Sequence, residues 1–136
     1  MRNQQSDTRH EKKALEWVTK ATEQNSELLS KIGWDYLHGI AGYTKNYKAA
    51  FEFFTKSAQH CKDSRSMYYI GNMYLHGQYV TKDYEKVEEW YQKAAHQENA
   101  TAKYNLGWMY EKGQGVDQSD KNAVECYKKA ADQSLA

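Results

Sequence analysis

The sequence has no proline, only two cysteines among 136 residues, and no long apolar run. With helix-breaking residues so scarce, long helices are expected. Cys61 and Cys126 are too few and too far apart for a disulfide framework or a metal knuckle, so we expect two buried thiols. No stretch approaches the roughly 20 apolar residues that cross a bilayer, and the polar first residues do not resemble a signal peptide. The sequence therefore predicts a cytoplasmic protein without a membrane partner.

An excess of charge of either sign is also lacking. Lys and Arg total 19 and Asp and Glu total 18, which leaves a formal net charge of +1. Such a chain has no overall field that would attract a phosphate backbone, so nucleic acid is not an expected partner. The length of 136 residues fits one domain with a core and is too short for two ordinary domains.

What the sequence does contain is a repeat marked by pairs of glycines six residues apart. These pairs are Gly33 and Gly39, Gly71 and Gly77, and Gly107 and Gly113. The first glycines of the pairs are 38 and 36 residues apart, and Ala58, Ala95 and Ala131 are 37 and 36 apart, so insertions fall only in loops. Periods of this length are typical of stacked helix pairs, since one pair cannot bury its apolar face alone.

Apolar residues at three- and four-residue spacings locate the helices of this repeat. We predict a single all-α domain over 9–136, an α-solenoid of about seven helices arranged in antiparallel pairs. A capping helix spans 9–24, and the repeats span 26–60, 64–97 and 100–134. Residues 1–8 show no periodicity and are expected to form a disordered tail. Ala14, Trp17, Val18 and Ala21 share one face of the capping helix, and the predicted N-caps of later helices are Ser26, Asn46, Asp83 and Asp120.

The two glycines of each pair have different expected roles. Gly33, Gly71 and Gly107 lie in the middle of a helix, where glycine costs about 0.5–1 kcal/mol relative to alanine. We expect close approach of the partner helix to recover this cost, with the small side chains Ala50 and Ala123 opposite the glycine and the bulkier Val87 in repeat two. The later glycine of each pair is expected to end the first helix in a left-handed conformation.

The third repeat resembles a known family. Leu106-Gly107-x-Met109-Tyr110-x-x-Gly113-x-Gly115-Val116, followed by Asp120, Ala123 and Tyr127-Lys128-Lys129-Ala130-Ala131, is similar to the Sel1-like repeat, a relative of the tetratricopeptide repeat. Repeat two matches nearly as well, whereas repeat one has Asp35 in place of the methionine and Phe53-Phe54 in place of Trp-Tyr. The resemblance covers about residues 10–134. It implies a right-handed superhelix that acts as an adaptor or scaffold in protein complexes, commonly in bacteria.

The resemblance also implies a binding surface for a partner protein or peptide. In the tetratricopeptide fold the first helices line a concave groove, at positions three before the mid-helix glycine and one, four and five after it. In this chain those positions are Ser30, Trp34, Leu37 and His38; Tyr68, Asn72, Leu75 and His76; and Tyr104, Trp108, Glu111 and Lys112. The alternative is that Trp34 and Trp108 belong to the core. A contact role is favoured because Ile32 and Tyr36, or Leu106 and Tyr110, already supply a core stripe on the same helices.

Other kinds of chemistry find little support in the sequence. His38 and His76 share a repeat position, but no carboxylate or cysteine at ligand spacing completes a metal site, so neither a metal nor a cofactor is expected. The glycine-containing loops lack the Lys-Ser/Thr pair of a phosphate-binding loop, and no nucleophile is paired with a base. We therefore do not expect an enzyme.

Two functions remain open from the sequence. One is an adaptor that binds a partner through the groove, and the other is a small cytoplasmic antagonist, such as an immunity-type protein, that neutralises one cognate protein. Val124, Tyr127 and Ala131 in the last helix still require a covering surface. We therefore expect a concentration-dependent homodimer through the C-terminal end.

Overall fold

In a computed structural model, residues 9, 11–14, 16, 17, 20 and 25–135 are described. The predicted tail at 1–8 lies outside the described residues, as do Val18 and Ala21 of the predicted capping helix. The described residues at the start of the chain are helical and belong to helix α1, which contains residues 9, 11–14, 16, 17 and 20.

Six further helices follow α1, and the described residues contain no strand. They are α2 (Ser26–His38), α3 (Tyr47–Cys61), α4 (Ser64–His76), α5 (Tyr84–His96), α6 (Ala100–Lys112) and α7 (Asp120–Leu135). The predicted all-α solenoid of about seven helices is confirmed. No helix in the described part of the chain is both long and apolar enough to span a bilayer.

The helices pack as three pairs, α2 with α3, α4 with α5 and α6 with α7, and α3 and α5 join each pair to the next. The main core runs through all three pairs and includes Phe54, Ile70, Tyr91 and Leu106, none of which is more than 2% exposed. A second cluster around Phe53 lies between α2 and α3. Burial of one large apolar side chain contributes roughly 1.5–3 kcal/mol, so these layers hold the pairs together.

A glycine packed against an aromatic ring sets the spacing of each helix pair. A Cβ atom added to Gly33 would lie 2.6 Å from the Phe54 ring, one on Gly71 2.6 Å from the Tyr91 ring, and one on Gly107 2.7 Å from the Tyr127 ring. Of the counterparts assigned from the sequence, Ala50, Val87 and Ala123, only Ala123 is among the nearest neighbours of its glycine, through its carbonyl oxygen, 3.2 Å from the added Cβ. The physical reason is that the flat ring, one turn further along the second helix, occupies the space that the missing Cβ leaves.

The loop inside each pair is closed by the same backbone hydrogen bond. The N–H groups of Asn46, Asp83 and Ser119 donate to the carbonyl oxygens of Tyr36, Tyr74 and Tyr110 at 2.9, 3.2 and 2.9 Å. Just before each loop, Gly39, Gly77 and Gly113 adopt the left-handed conformation with φ of 65°, 65° and 67°. This confirms the prediction that the later glycine of each pair ends the first helix.

Two of the four predicted N-caps are confirmed and two are wrong by one residue. The side chains of Asn46 and Asp83 accept hydrogen bonds from Ala49 N and Glu85 N, as expected for N-caps. At the start of α2 the cap is Asn25, whose Oδ1 accepts from Leu28 N, and at the start of α7 Ser119 Oγ accepts from Asn122 N. In both places the side chain one residue earlier already satisfies the free N–H of the first turn.

The predicted apolar face of α1 is not covered where it is described. Trp17 is 78% exposed and Ala14 is exposed too. The equivalent of Trp17 in repeat one is Phe53, which is covered by α2 of its own pair.

The two cysteines were predicted to be buried, and both are partly buried. Burial raises the pKa of both the Cys61 and the Cys126 thiols above their ordinary value. Both groups are therefore protonated near neutral pH and are weak nucleophiles.

The close glycine contact predicts that Gly71→Ala destabilises the protein. In an exposed helix the change to alanine stabilises by about 0.5–1 kcal/mol, but here the new methyl group would overlap the Tyr91 ring, at a cost of about 1–3 kcal/mol. Urea unfolding followed by circular dichroism measures the difference. Gln59→Ala, at an exposed position of α3, is the control and should change the free energy of unfolding by less than about 0.5 kcal/mol. An unchanged or higher stability of Gly71→Ala would contradict the close contact.

Candidate protein-binding site

The predicted site residues of the first helices α2, α4 and α6 differ widely in exposure. Trp34, Tyr104 and Trp108 are 39%, 56% and 41% exposed, so neither tryptophan lies in the core. His38, His76, Glu111 and Lys112 are exposed as well, whereas Tyr68 and Asn72 are partly buried. We call the seven exposed residues, Trp34, His38, His76, Tyr104, Trp108, Glu111 and Lys112, the first-helix face.

Two positions carried over from the tetratricopeptide groove are wrong for this chain. Ser30 is 4% exposed and its Oγ donates to the carbonyl oxygen of Glu27. Leu37 is 8% exposed and belongs to the main core cluster. Both side chains are used by the packing of α2 and are not available to a partner.

Aromatic contacts link the first helices to one another. The Trp34 ring lies 4.1 Å from the His38 ring and 5.1 Å from that of Tyr69, measured between ring centroids, so α2 touches α4 here. Between α4 and α6, Asn105 Nδ2 donates to the hydroxyl of Tyr68 at 3.5 Å. The predicted residues therefore lie on neighbouring helices that are in side-chain contact.

Asn72 and Glu111 accept hydrogen bonds from tyrosines of the second helices. The Tyr91 hydroxyl donates to Asn72 Oδ1, and the Tyr127 hydroxyl donates to Glu111 Oε2 at 2.8 Å. Burial raises the pKa of Tyr91, and burial, together with the hydrogen bond and negative charge of Glu111, raises the pKa of Tyr127 to about 12. Both phenols therefore remain protonated donors at neutral pH, and both acceptors help to hold a helix pair together.

The ends of the first helices carry positive or titratable groups. His38, His76 and Lys112 are the last residues of α2, α4 and α6, where a positive charge interacts favourably with the helix dipole. Among the described residues, no group of three or more His, Cys, Asp or Glu side chains is arranged to hold a metal ion.

Sequence reasoning missed two residues that connect the first helices. Tyr69 lies 5.0 Å from the Phe54 ring besides its contact with Trp34, and Asn105 reaches Tyr68. Both occupy the position two residues before the mid-helix glycine, where repeat one has Lys31. The sequence did contain a signal for these residues, since this repeat position holds a different residue type in each copy. Positions that vary between copies are not determined by the shared fold.

The chain was compared with protein families and with solved structures. The model of the Sel1 repeat matches residues 8–26, 29–60, 64–99 and 100–135. A Sel1 repeat protein from Oxalobacter formigenes is 31% identical, with a TM-score of 0.76, and the match covers 81% of this chain and 44% of that one. A protective antigen of uropathogenic Escherichia coli strains that displays an SLR fold is also 31% identical, with a TM-score of 0.78 and coverage of 88% and 25%.

A third solved structure, cysteine-rich protein B of Helicobacter pylori, is 26% identical with a TM-score of 0.67, and the match covers 90% of this chain and 86% of that one. The chain spans less than half the length of the first two structures. None of the curated proteins compared with the chain matches it. Because the family model matches four segments that together cover most of the sequence, the chain belongs to the Sel1 repeat family.

Proposed function

We propose that this chain is an adaptor that binds a partner protein through the first-helix face. Sel1 repeat proteins generally act as protein–protein interaction modules, on a repeat scaffold that is not itself catalytic. The observation that supports this particular face is the exposure of Trp34 and Trp108 on helices whose core positions are already filled. Tryptophan and tyrosine dominate the binding energy of many protein interfaces.

The fold itself does not require tryptophan at these positions. Trp34, Asn72 and Trp108 occupy the same repeat position, one residue after the mid-helix glycine. In repeat two the residue at this position, Asn72, accepts a hydrogen bond from the Tyr91 hydroxyl. In repeat three the Tyr127 hydroxyl donates to Glu111 instead. Phe54 in repeat one has no hydroxyl, so neither tryptophan accepts such a hydrogen bond; Trp34 and Trp108 are 39% and 41% exposed.

The face combines apolar rings with ionisable ends. His38, His76 and Lys112 lie at one end of each first helix, and Glu111 is next to Lys112. A partner segment with apolar side chains, and with polar groups that pair with Lys112 and Glu111, would complement such a surface.

Substitution of Trp108 by alanine is expected to weaken partner capture at least about tenfold, which corresponds to about 1.4 kcal/mol of binding free energy. The measurement is affinity capture from the source cells with the full chain as bait, followed by titration of the captured protein. The helical circular dichroism signal should persist, because Trp108 is 41% exposed.

Gln59→Ala, on an exposed position of α3, is the matched control and should capture the partner as the unchanged chain does. Equal capture by Trp108→Ala and Gln59→Ala would rule out the first-helix face as the binding surface. The number of captured proteins and their affinities separate two roles. Several partners of moderate affinity fit an adaptor, whereas one very tight partner fits an antagonist.

Asn72→Ala, at the same repeat position as Trp108, is expected to lower stability, because it removes the group that accepts the hydrogen bond of the buried Tyr91 hydroxyl. The loss should be about 1–3 kcal/mol in urea unfolding. In a Tyr91→Phe background the same substitution should cost less, since no hydroxyl is then left unpaired. An equal cost in both backgrounds would show that Asn72 does not act through Tyr91.

A further inference from the structure

The loop of repeat two carries a tyrosine in a left-handed backbone conformation. Tyr79, two residues after the helix-ending glycine, has φ of 66°, and Gly115 at the equivalent position of repeat three has φ of 72°. A side chain makes this conformation costly, because its Cβ lies too close to a carbonyl oxygen, and glycine avoids the cost. In repeat one the position holds Ala41, with φ of 55°. Only repeat two therefore places a large side chain there.

The closure of this loop does not involve the Tyr79 ring. The loop is closed by the main-chain hydrogen bond from Asp83 N to the carbonyl oxygen of Tyr74, at 3.2 Å. Tyr79 is 53% exposed, and its ring lies 5.5 Å from the ring of Phe51 on α3, measured between centroids. A costly backbone conformation that presents a half-exposed ring is typical of a residue that contacts a ligand or a partner.

Tyr79 lies in the middle repeat, so its exposure does not result from a missing neighbour. Its ring rests on α3 of the preceding pair. The loop of the following pair packs against the start of α5, where a Cβ on Gly115 would lie 2.7 Å from Tyr84 Cβ. Both neighbouring repeats are in place and the ring is still exposed. By contrast, the open cavity of about 740 Å³ between α6 and α7, lined by uncharged residues such as Thr101, lies beside the last helix.

A band of rings connects Tyr79 with the loop of repeat one. Phe51, which contacts Tyr79, lies one turn after Tyr47 on the same side of α3. The Nζ atom of Lys45 is 5.3 Å from the centroid of the Tyr47 ring. The two loops and the first turns of α3 therefore form one continuous surface. We call it the loop edge, and it consists of residues 40–48, Phe51 and residues 78–82.

The loop edge is positively charged. Its charged residues are three exposed lysines, Lys45, Lys48 and Lys82. Two acidic residues adjoin it in the sequence. Asp83 is the N-cap of α5 and accepts hydrogen bonds from the main chain of its first turn, and Glu52 points about 100° away from Phe51 around α3. The loop of repeat three differs, since it has Asp117 and no lysine.

We propose that the loop edge binds an acidic segment of a partner protein that carries an aromatic or aliphatic side chain. The apolar side chain packs on the exposed ring of Tyr79, and the carboxylates pair with Lys45 and Lys82. The loop edge consists of loops and the start of α3, whereas Trp34 and Trp108 lie within α2 and α6. The proposal therefore does not depend on the function of the first-helix face.

The probe is a fluorescein-labelled synthetic peptide of about ten residues, in which a central Leu-Trp pair is flanked by Glu residues. A second peptide has Lys in place of every Glu. The full chain is titrated against each peptide by fluorescence anisotropy at low ionic strength, where exposed charges are screened least. We expect saturable binding of the Glu peptide, at least about tenfold tighter than that of the Lys peptide. Tyr79→Gly and Lys82→Glu should each weaken it at least about fivefold.

Lys128→Glu is the matched control for Lys82→Glu, because it makes the same charge change at an exposed position of α7. It should bind the Glu peptide as the unchanged chain does, and so should Trp108→Ala. Thermal unfolding followed by circular dichroism checks the fold of each variant. The melting temperature of Tyr79→Gly should be no lower than that of the unchanged chain, because glycine removes the cost of the left-handed conformation.

The proposal would be overturned by absence of saturable binding of the Glu peptide, by equal binding of the two peptides, or by undiminished binding to Tyr79→Gly. A melting temperature of Tyr79→Gly lowered by more than about 3 °C would also overturn it, since the ring would then serve the fold. Tighter binding of an oligothymidylate of the same net charge would show that the lysines recognise phosphate instead. Weakening by Trp108→Ala but not by Tyr79→Gly would place the peptide on the first-helix face, against this proposal and in favour of the adaptor function of that face.

Discussion

The contact between a glycine and an aromatic ring sets the geometry of the three helix pairs that the structure describes. Where the Cβ is missing, the ring of the second helix lies directly against the backbone of the first, as Tyr91 lies against Gly71. The ring therefore extends across the first helix, and its hydroxyl reaches Asn72. In the third pair the equivalent hydroxyl reaches Glu111. The close contact thus determines which residues of the first helix lie within reach of the ring hydroxyl and bond to it.

The result is one backbone with two surfaces of different chemistry. The first-helix face combines indole and phenol rings with titratable ends, whereas the cavity beside α7 is lined by uncharged residues. Tyr104 contributes to both, because its ring lies 5.2 Å from that of Tyr127. The two surfaces therefore adjoin at Tyr104 on α6.

The sequence predicted those features that every copy of the repeat shares. The helix pairs and the left-handed glycines such as Gly77 follow from spacing. The exposure of Trp108 is not shared by all copies, since Asn72 at the same position is partly buried; it was expected because other residues of α6 already fill the core. The partner of the mid-helix glycine did not follow, because a pattern shows which residue is small but not which side chain fills the gap. Leu37 lies on the apolar side of its helix by spacing, and it was assigned to the groove only because that position was carried over from a related repeat; it is 8% exposed. The open side of α7 was expected from Val124, Tyr127 and Ala131, whereas the volume and lining of the cavity between α6 and α7 depend on three-dimensional packing.

The hydrogen bond that closes each loop involves only main-chain atoms, and this has a consequence for how the repeat varies. Between the helix-ending glycine and the residue that donates this bond lie residues 40–45 in repeat one, 78–82 in repeat two and 114–118 in repeat three. One loop is a residue longer, yet its bond, at 2.9 Å, is as short as that in repeat three. Side chains in the loops are therefore not needed to join the two helices of a pair. Insertions and exposed apolar residues such as Ile40 and Tyr79 are accommodated there while the two helices keep their alignment.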